Sequence, residues 1–234
     1  MKDEKEKLER SIGDSLSKIN TNIFMAEQAF ELFSVLSEIN ISSLDSAFKP
    51  FFSTVTEFSR DCCFLYISKI YEEPNNNYPN ISIKTLLKDL QMVDLKDLQL
   101  NKSTICEFLK KKNYNISSND PMECLNTIIV YFSNELNTHK KVLDPFLAMR
   151  DKQVAHTENC ILINEVGPDF TYEQFKESFK LLLGFAKEFY NVITKFLGCR
   201  YVSSIGEFSN YDISASLSLQ KIIEKISKKN IVKY

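Results

Sequence analysis

The most constraining feature of this sequence is the spacing of its apolar residues, which recur at every third or fourth position over long stretches. That spacing gathers apolar side chains on one face of an α-helix, whereas a half-buried strand would alternate them. The longest stretches run from Leu8 to Phe33, from Phe48 to Tyr66 and from Tyr172 to Phe196. The sequence therefore predicts an all-α bundle of about six or seven helices.

Residues that are typical of helix ends support this prediction. Asp120 followed by Pro121 is a typical helix start, and so is Thr171 with Gln174 three residues later. Gly198 is typical of the residue just past a helix end. These residues predict two long helices, one that begins after Asp120 and one that ends before Gly198.

Two further segments carry start signals of their own. Thr104 with Glu107 is typical of a capping box and predicts a short helix beginning at Thr104. At Asp144-Pro145 the chain either begins a new helix or kinks, because proline lacks a backbone donor and clashes with the preceding turn. The helix that contains this proline is expected to run to about His156 or Thr157.

The length of 234 residues suits one sizeable domain. We divide the chain into a helical domain of residues 1–198 and a C-terminal extension of residues 199–234. One more helix is expected in this extension, from Asp212 to about Lys228.

The scarcity of glycine and histidine excludes several kinds of site. With 5 scattered glycines the chain has no glycine-rich phosphate loop. With 2 histidines, and no cysteine pair at metal-binding spacing among the 6 cysteines, no metal and no other cofactor is predicted. The cysteines are interpreted as buried thiols of a reducing compartment.

Charge and hydropathy narrow the possible partners and the location. Lys and Arg number 29 against 31 Asp and Glu, so no overall basic field attracts nucleic acid and any such contact is local. The first residues, MKDEKEK, contain no apolar core of signal-peptide length, and no later stretch is apolar enough for a membrane span. We therefore expect a cytoplasmic protein without a membrane partner.

One segment combines rare residues that can carry chemistry. Residues 147–158 read LAMRDKQVAHTE and contain Arg150, one of four arginines, and His156, one of two histidines. Six positions along a helix leave these side chains about 120° apart and about 9 Å apart along the axis. They can converge only on a broad cleft, which a two-fold-related partner would supply by bringing two arginines and two histidines together.

The motif R-D-K-Q-V-A-H resembles that of the HEPN superfamily of small helical domains, in the branch typified by abortive-infection proteins of the AbiU type. The resemblance is carried by Arg150, Asp151, Ala155 and His156, with a long predicted helix on either side of the motif. It extends from residue 8 to about residue 198. It implies a HEPN-like bundle, and a metal-independent endoribonuclease that is often a toxin or antiviral effector and whose cleft forms between two protomers.

The implied chemistry assigns a role to each motif residue. His156 would act as base or acid on the RNA, Arg150 would hold phosphate oxygens, and Asp151 would orient either group. Neighbouring lysines would contact RNA phosphates: Lys140, Lys141 and Lys152. The expected partners are thus RNA, a second copy of the chain, and an antitoxin or other regulatory protein.

Two features keep another interpretation open. Many members of the branch carry asparagine where this chain has Asp151, and the carboxylate adds negative charge beside the phosphate site. The formal charge of -2 also favours a non-catalytic HEPN-like module that binds a partner protein or a nucleotide. Histidines facing each other across a dimer cleft would support the ribonuclease, whereas Arg150 held in ion pairs within one protomer would support the binding module. A third possibility is that the chain neutralises another protein.

Overall fold

The computed structural model describes residues 2–39, 45–74, 80–92, 101–114, 120–153 and 171–198, together with residue 221. Within these residues the chain forms seven α-helices and no β-strand. In chain order they are α1 (Lys2–Ser37), α2 (Lys49–Tyr71), α3 (Ile83–Met92), α4 (Lys102–Lys111), α5 (Pro121–Thr138), α6 (Lys140–Gln153) and α7 (Tyr172–Leu197). The predicted all-α bundle is confirmed.

A cluster of buried phenylalanines joins four of the helices. Phe30 of α1 stacks on Phe179 of α7 with ring centroids 4.5 Å apart. Phe146 of α6 lies 5.4 Å from Phe64 of α2 and 5.5 Å from Phe175 of α7. Aromatic pairs at these separations contribute about 0.5–1.5 kcal/mol beyond the area they bury. The cluster therefore fixes α6, which carries the first half of the predicted motif, against α2 and α7.

The caps predicted at three helix ends are confirmed. The Asp120 side chain accepts a hydrogen bond from the backbone N–H of Met122 at 3.1 Å. Thr171 and Gln174 form the reciprocal capping box at the start of α7. Gly198 ends α7 in the left-handed conformation with φ of 56°, where a side chain would be strained.

The predicted N-cap of α4, Thr104, is wrong by three residues. The helix begins after Asn101, so Thr104 lies inside it rather than at its cap. The Ser103 hydroxyl donates a hydrogen bond to the side-chain oxygen of Asn101 at 2.7 Å. The backbone N–H of Asn101 donates to the Phe196 carbonyl at 2.8 Å. This contact with the end of α7, which local sequence does not encode, sets where α4 begins.

The break before the motif helix lies at His139 and not at Asp144-Pro145. His139 caps the end of α5, and its carbonyl accepts from the N–H groups of Val142 and Leu143 to begin α6. Pro145 is accommodated inside α6, so no new helix begins there. The predicted extent of this helix beyond residue 153 and the predicted helix at 212–228 lie outside the described residues, except for residue 221. The domain boundary at residue 198 stays a prediction.

Tyr71, at the end of α2, makes the fold sensitive to alkali. Its side chain is fully buried, and its hydroxyl donates to the Leu182 carbonyl of α7 at 2.5 Å. Burial disfavours the phenolate and raises the pKa of Tyr71 well above its ordinary value. Because the folded-state pKa is raised, the stability that Tyr71 contributes is complete below the unfolded-state pKa of about 10 and is lost as pH rises above it.

We expect Tyr71→Phe to cost about 1 kcal/mol at pH 7, because a buried hydrogen bond is lost. Above about pH 10 its stability should fall less steeply than that of the wild type, by about 1.4 kcal/mol per pH unit. Urea unfolding at pH 7, 9, 10 and 11 measures both effects, and Tyr114→Phe, at a tyrosine that is 38% exposed, serves as control. Equal slopes for Tyr71→Phe and the wild type above pH 10 would contradict the assignment.

Candidate functional site

Arg150 lies near the C-terminal end of α6, with its guanidinium between two carboxylates. Its Nη1 is 2.6 Å from Oε1 of Glu72, the residue that follows the last turn of α2. Its Nε and Nη2 are 2.8 Å and 2.6 Å from Oδ1 of Asp151. At least three of the five guanidinium donors are thus directed at carboxylates, and the ion pair to Glu72 joins α6 to the end of α2.

The two carboxylates keep the Arg150 guanidinium protonated, and their negative charges also balance its positive charge. The Arg150 side chain is 22% exposed. Its partial burial lowers the pKa, but the hydrogen bonds that it donates to Asp151 and Glu72, together with their negative charges, outweigh that effect, so the pKa of Arg150 is raised. The cluster carries one positive and two negative formal charges. A phosphate that binds Arg150 must therefore share the guanidinium with these carboxylates or displace one of them.

The position of Glu72 is set by the segment that connects α2 to α3. The Ser82 hydroxyl donates to the Glu72 backbone carbonyl at 2.7 Å. The Asn80 side-chain amide donates to the next carbonyl, that of Glu73, at 2.6 Å. Lys84 of α3 forms an ion pair with the Glu73 side chain. These contacts hold the chain after α2 in place and so direct the Glu72 carboxylate toward α6.

The other predicted site residues are not all brought together. Asp151 lies beside Arg150, as the motif requires, whereas His156 lies outside the described residues. Lys140 and Lys141 are exposed at the opposite end of α6, about 15 Å from Arg150 by the rise of the helix. Lys152 is part of α6, and its side chain is not among those described. The catalytic and phosphate-binding roles of these residues stay predictions.

Glu72 is the residue that sequence reasoning missed. In the sequence it stands with Glu73 as a pair of carboxylates beside a loop, without imidazole partners. The first carboxylate partner of Arg150, Asp151, is its neighbour in the sequence. The second partner is 78 positions away along the chain, and no spacing pattern in the sequence indicates a contact across that separation.

We expect Glu72→Gln to lower the free energy of unfolding by about 0.5–1 kcal/mol, because it removes a partly exposed charge pair and keeps the shape of the side chain. The loss should shrink at 1 M salt, where such pairs are screened. Glu57→Gln is the matched control, since Glu57 is an exposed carboxylate of α2 that lies outside the Arg150 cluster. Urea unfolding of both variants at low and high salt measures the effect, and a Glu72→Gln chain as stable as the control would contradict it.

His139 has a structural role in the bundle. Its ring packs edge-on against Phe185 with centroids 5.0 Å apart, and it caps α5. In the part of the chain that the structure describes, no group of three or more His, Cys, Asp or Glu side chains lies close enough to hold a metal ion. Nor is any helix in this part long and apolar enough to cross a membrane.

A family model identifies the class to which this bundle belongs. The model for HEPN_AbiU2, described as AbiU2, matches residues 11–212, which include the helices from α2 to α7, most of α1 and the whole motif segment. The chain is therefore a HEPN domain. It belongs to the AbiU2 family, which is related to abortive infection, and the resemblance carried by the motif is confirmed at the level of the family. Searches of curated proteins and of solved structures returned no match.

Proposed function

We propose that this protein is a metal-independent endoribonuclease that acts as a toxin or antiviral effector in abortive infection. The observation that carries the proposal is the AbiU2 family match, which spans the segment containing Arg150 and His156. The geometry adds support, because Arg150 is partly buried and its guanidinium is oriented by Asp151 and Glu72. A charged group held in place by the fold is what stabilisation of a phosphorane requires.

In the proposed reaction the 2′-hydroxyl of a ribose attacks the adjacent phosphorus. A base takes the hydroxyl proton, the bond from phosphorus to the 5′-oxygen breaks, and an acid gives that oxygen a proton. The products are a 2′,3′-cyclic phosphate and a 5′-hydroxyl. His156 serves as base or acid, because its unperturbed pKa near 6.5 lets both forms exist at neutral pH. Arg150 contacts the non-bridging oxygens.

A homodimer that pairs the motif helices would complete this site. Two-fold symmetry places two copies of His156 in one cleft, so one can act as base while the other acts as acid. Lys152, four residues before His156 in the motif, would contact a phosphate. The regulatory partner would be an antitoxin that covers this cleft.

The ion pairs of Arg150 favour a second candidate function. Glu72 and Asp151 both engage the guanidinium within one protomer, which is the arrangement expected of a structural arginine. In that case the chain is a non-catalytic HEPN module that binds a partner protein or a nucleotide. The two candidates differ in whether the chain cleaves RNA.

The test is cleavage of a mixed RNA pool by the full chain with excess chelator, with the dimer monitored by sedimentation. His156→Ala should abolish cleavage without dissociating the dimer. His139→Gln is the matched control, because it removes the other histidine of the chain. Cleavage that persists in His156→Ala, or an intact dimer that leaves RNA uncut, would refute the ribonuclease and favour the binding module.

A further inference from the structure

An open cleft of about 350 Å³ adjoins the Arg150 site, with Glu72 in its wall. Its lining comes from α1, from the C-terminal end of α2 and from the segment that follows α2. Besides Glu72, the polar side chains that line it are Lys18, Thr21, Asn22, Lys69 and Asn80. The volume is at the lower end of the range for small-molecule sites, which begins at about 300 Å³. A cleft of this size suits a single nucleotide unit.

The charges that line the cleft favour an anion. Lys18 of α1 and Lys69 of α2 both line it, and neither has an acidic partner within ion-pair distance among the described residues. Among the described residues that line the cleft, the one carboxylate is that of Glu72, which already pairs with Arg150. The Lys69 ammonium also lies 5.0 Å from the centre of the Tyr66 ring, which holds it at the surface of α2. The cleft is thus locally basic although the chain as a whole is slightly acidic.

The cleft also offers hydrogen-bonding groups. Asn22 and Asn80 contribute amides, and Thr21 contributes a hydroxyl that donates to the Ser17 carbonyl at 3.0 Å. The Asn80 amide nitrogen donates to the Glu73 carbonyl, so this amide is held in place where it lines the cleft. Amides and hydroxyls are groups that pair with the polar edges of unstacked nucleic-acid bases.

We propose that this cleft binds one nucleotide of the RNA strand next to the phosphate that is cut, with the backbone phosphate of that nucleotide between Lys18 and Lys69. The proposal rests on the ribonuclease function proposed above and adds a second point of contact with the strand. Because Glu72 belongs both to the wall of the cleft and to the Arg150 cluster, a strand that leaves the Arg150 site reaches the cleft directly. The recognised chemistry is a nucleoside phosphate.

The test is fluorescence anisotropy of a labelled 2′-O-methyl RNA 12-mer, which lacks the attacking hydroxyl and stays intact. The wild-type chain is compared with Lys18→Ala/Lys69→Ala and with Lys110→Ala/Lys180→Ala, a control that removes two exposed lysines outside the cleft. The cleft variant should bind at least 10-fold more weakly. The slope of log K against log salt should become shallower by about 0.7 for each phosphate that the cleft variant no longer neutralises. The control should change less than 2-fold.

Equal binding by the cleft variant and the control would overturn the proposal, and so would a wild-type chain that binds no RNA. Competition with free adenosine monophosphate distinguishes a cleft that binds a nucleotide within an RNA strand from one that binds a free mononucleotide. If the mononucleotide binds in a Lys18- and Lys69-dependent manner and RNA does not, the strand-binding proposal is wrong. Cleft-dependent RNA binding by a chain that never cleaves natural RNA would refute the ribonuclease and leave the cleft assignment intact.

Discussion

We expect Arg150→Ala to lower kcat/KM for RNA cleavage by about 100- to 1,000-fold, because a pre-oriented charge that stabilises the phosphorane is lost. Arg150→Lys should also lose at least about 10-fold, since an ammonium is a point charge that cannot reproduce the fork of donors engaged by Glu72 and Asp151. Single-turnover cleavage of a defined RNA in chelator measures both losses.

Arg60→Ala is the matched control for this prediction. Arg60 also bonds the aspartate that follows it, with Nε and Nη2 3.2 Å and 3.1 Å from Oδ1 of Asp61. It is similarly exposed, at 27% against 22% for Arg150, and lies on α2. We expect Arg60→Ala to cleave RNA at the wild-type rate. Equal losses in the Arg60→Ala and Arg150→Ala chains would show that Arg150 has no particular role.

Phe175→Ala should lower the free energy of unfolding by about 3–5 kcal/mol, because it leaves a cavity among close-packed rings. Phe175 is 5% exposed, and its ring lies within 5.5 Å of the rings of Phe33, Phe64 and Phe146. Those rings belong to α1, α2 and α6, so the substitution loosens the junction that fixes α6. Urea unfolding followed by circular dichroism measures the loss.

Phe58→Ala is the control for the core prediction. Phe58 is 67% exposed on α2, and its truncation should change the free energy of unfolding by less than about 0.5 kcal/mol. A Phe175→Ala loss below about 1 kcal/mol would mean that the phenylalanine cluster does not hold the bundle together. Phe175→Leu should fall between the two, because leucine refills part of the cavity.

The helices were predictable because the information for them is local. The apolar stripe of α7 and the capping box at Thr171 lie within a few residues of the structure they specify. The start of α4 was not predictable in this way. It depends on a hydrogen bond from Asn101 to the Phe196 carbonyl, which forms only when α4 and α7 are packed together. The break between α5 and α6 at His139 was not predictable either, because no glycine or proline stands beside it in the sequence.

The candidate site was predictable only in part, for the same physical reason. Arg150 and Asp151 could be identified from the motif because they are adjacent in the sequence. In the structure they form an ion pair. Glu72 joins them through the packing of α2 against α6, and Lys18 lines the neighbouring cleft because α1 packs along α2. Such contacts depend on the tertiary arrangement of the helices.

A ribonuclease of this kind uses the 2′-hydroxyl as the attacking group and needs no metal, and both properties can be measured in one experiment. The full chain is incubated in excess chelator with an RNA oligonucleotide and with the same sequence made as DNA, and product ends are identified by mass. We expect the RNA to be cut to 2′,3′-cyclic phosphate and 5′-hydroxyl ends and the DNA to stay intact, because DNA lacks the 2′-hydroxyl. Cleavage of the DNA, cleavage that requires added metal, or no cleavage of RNA would contradict this expectation.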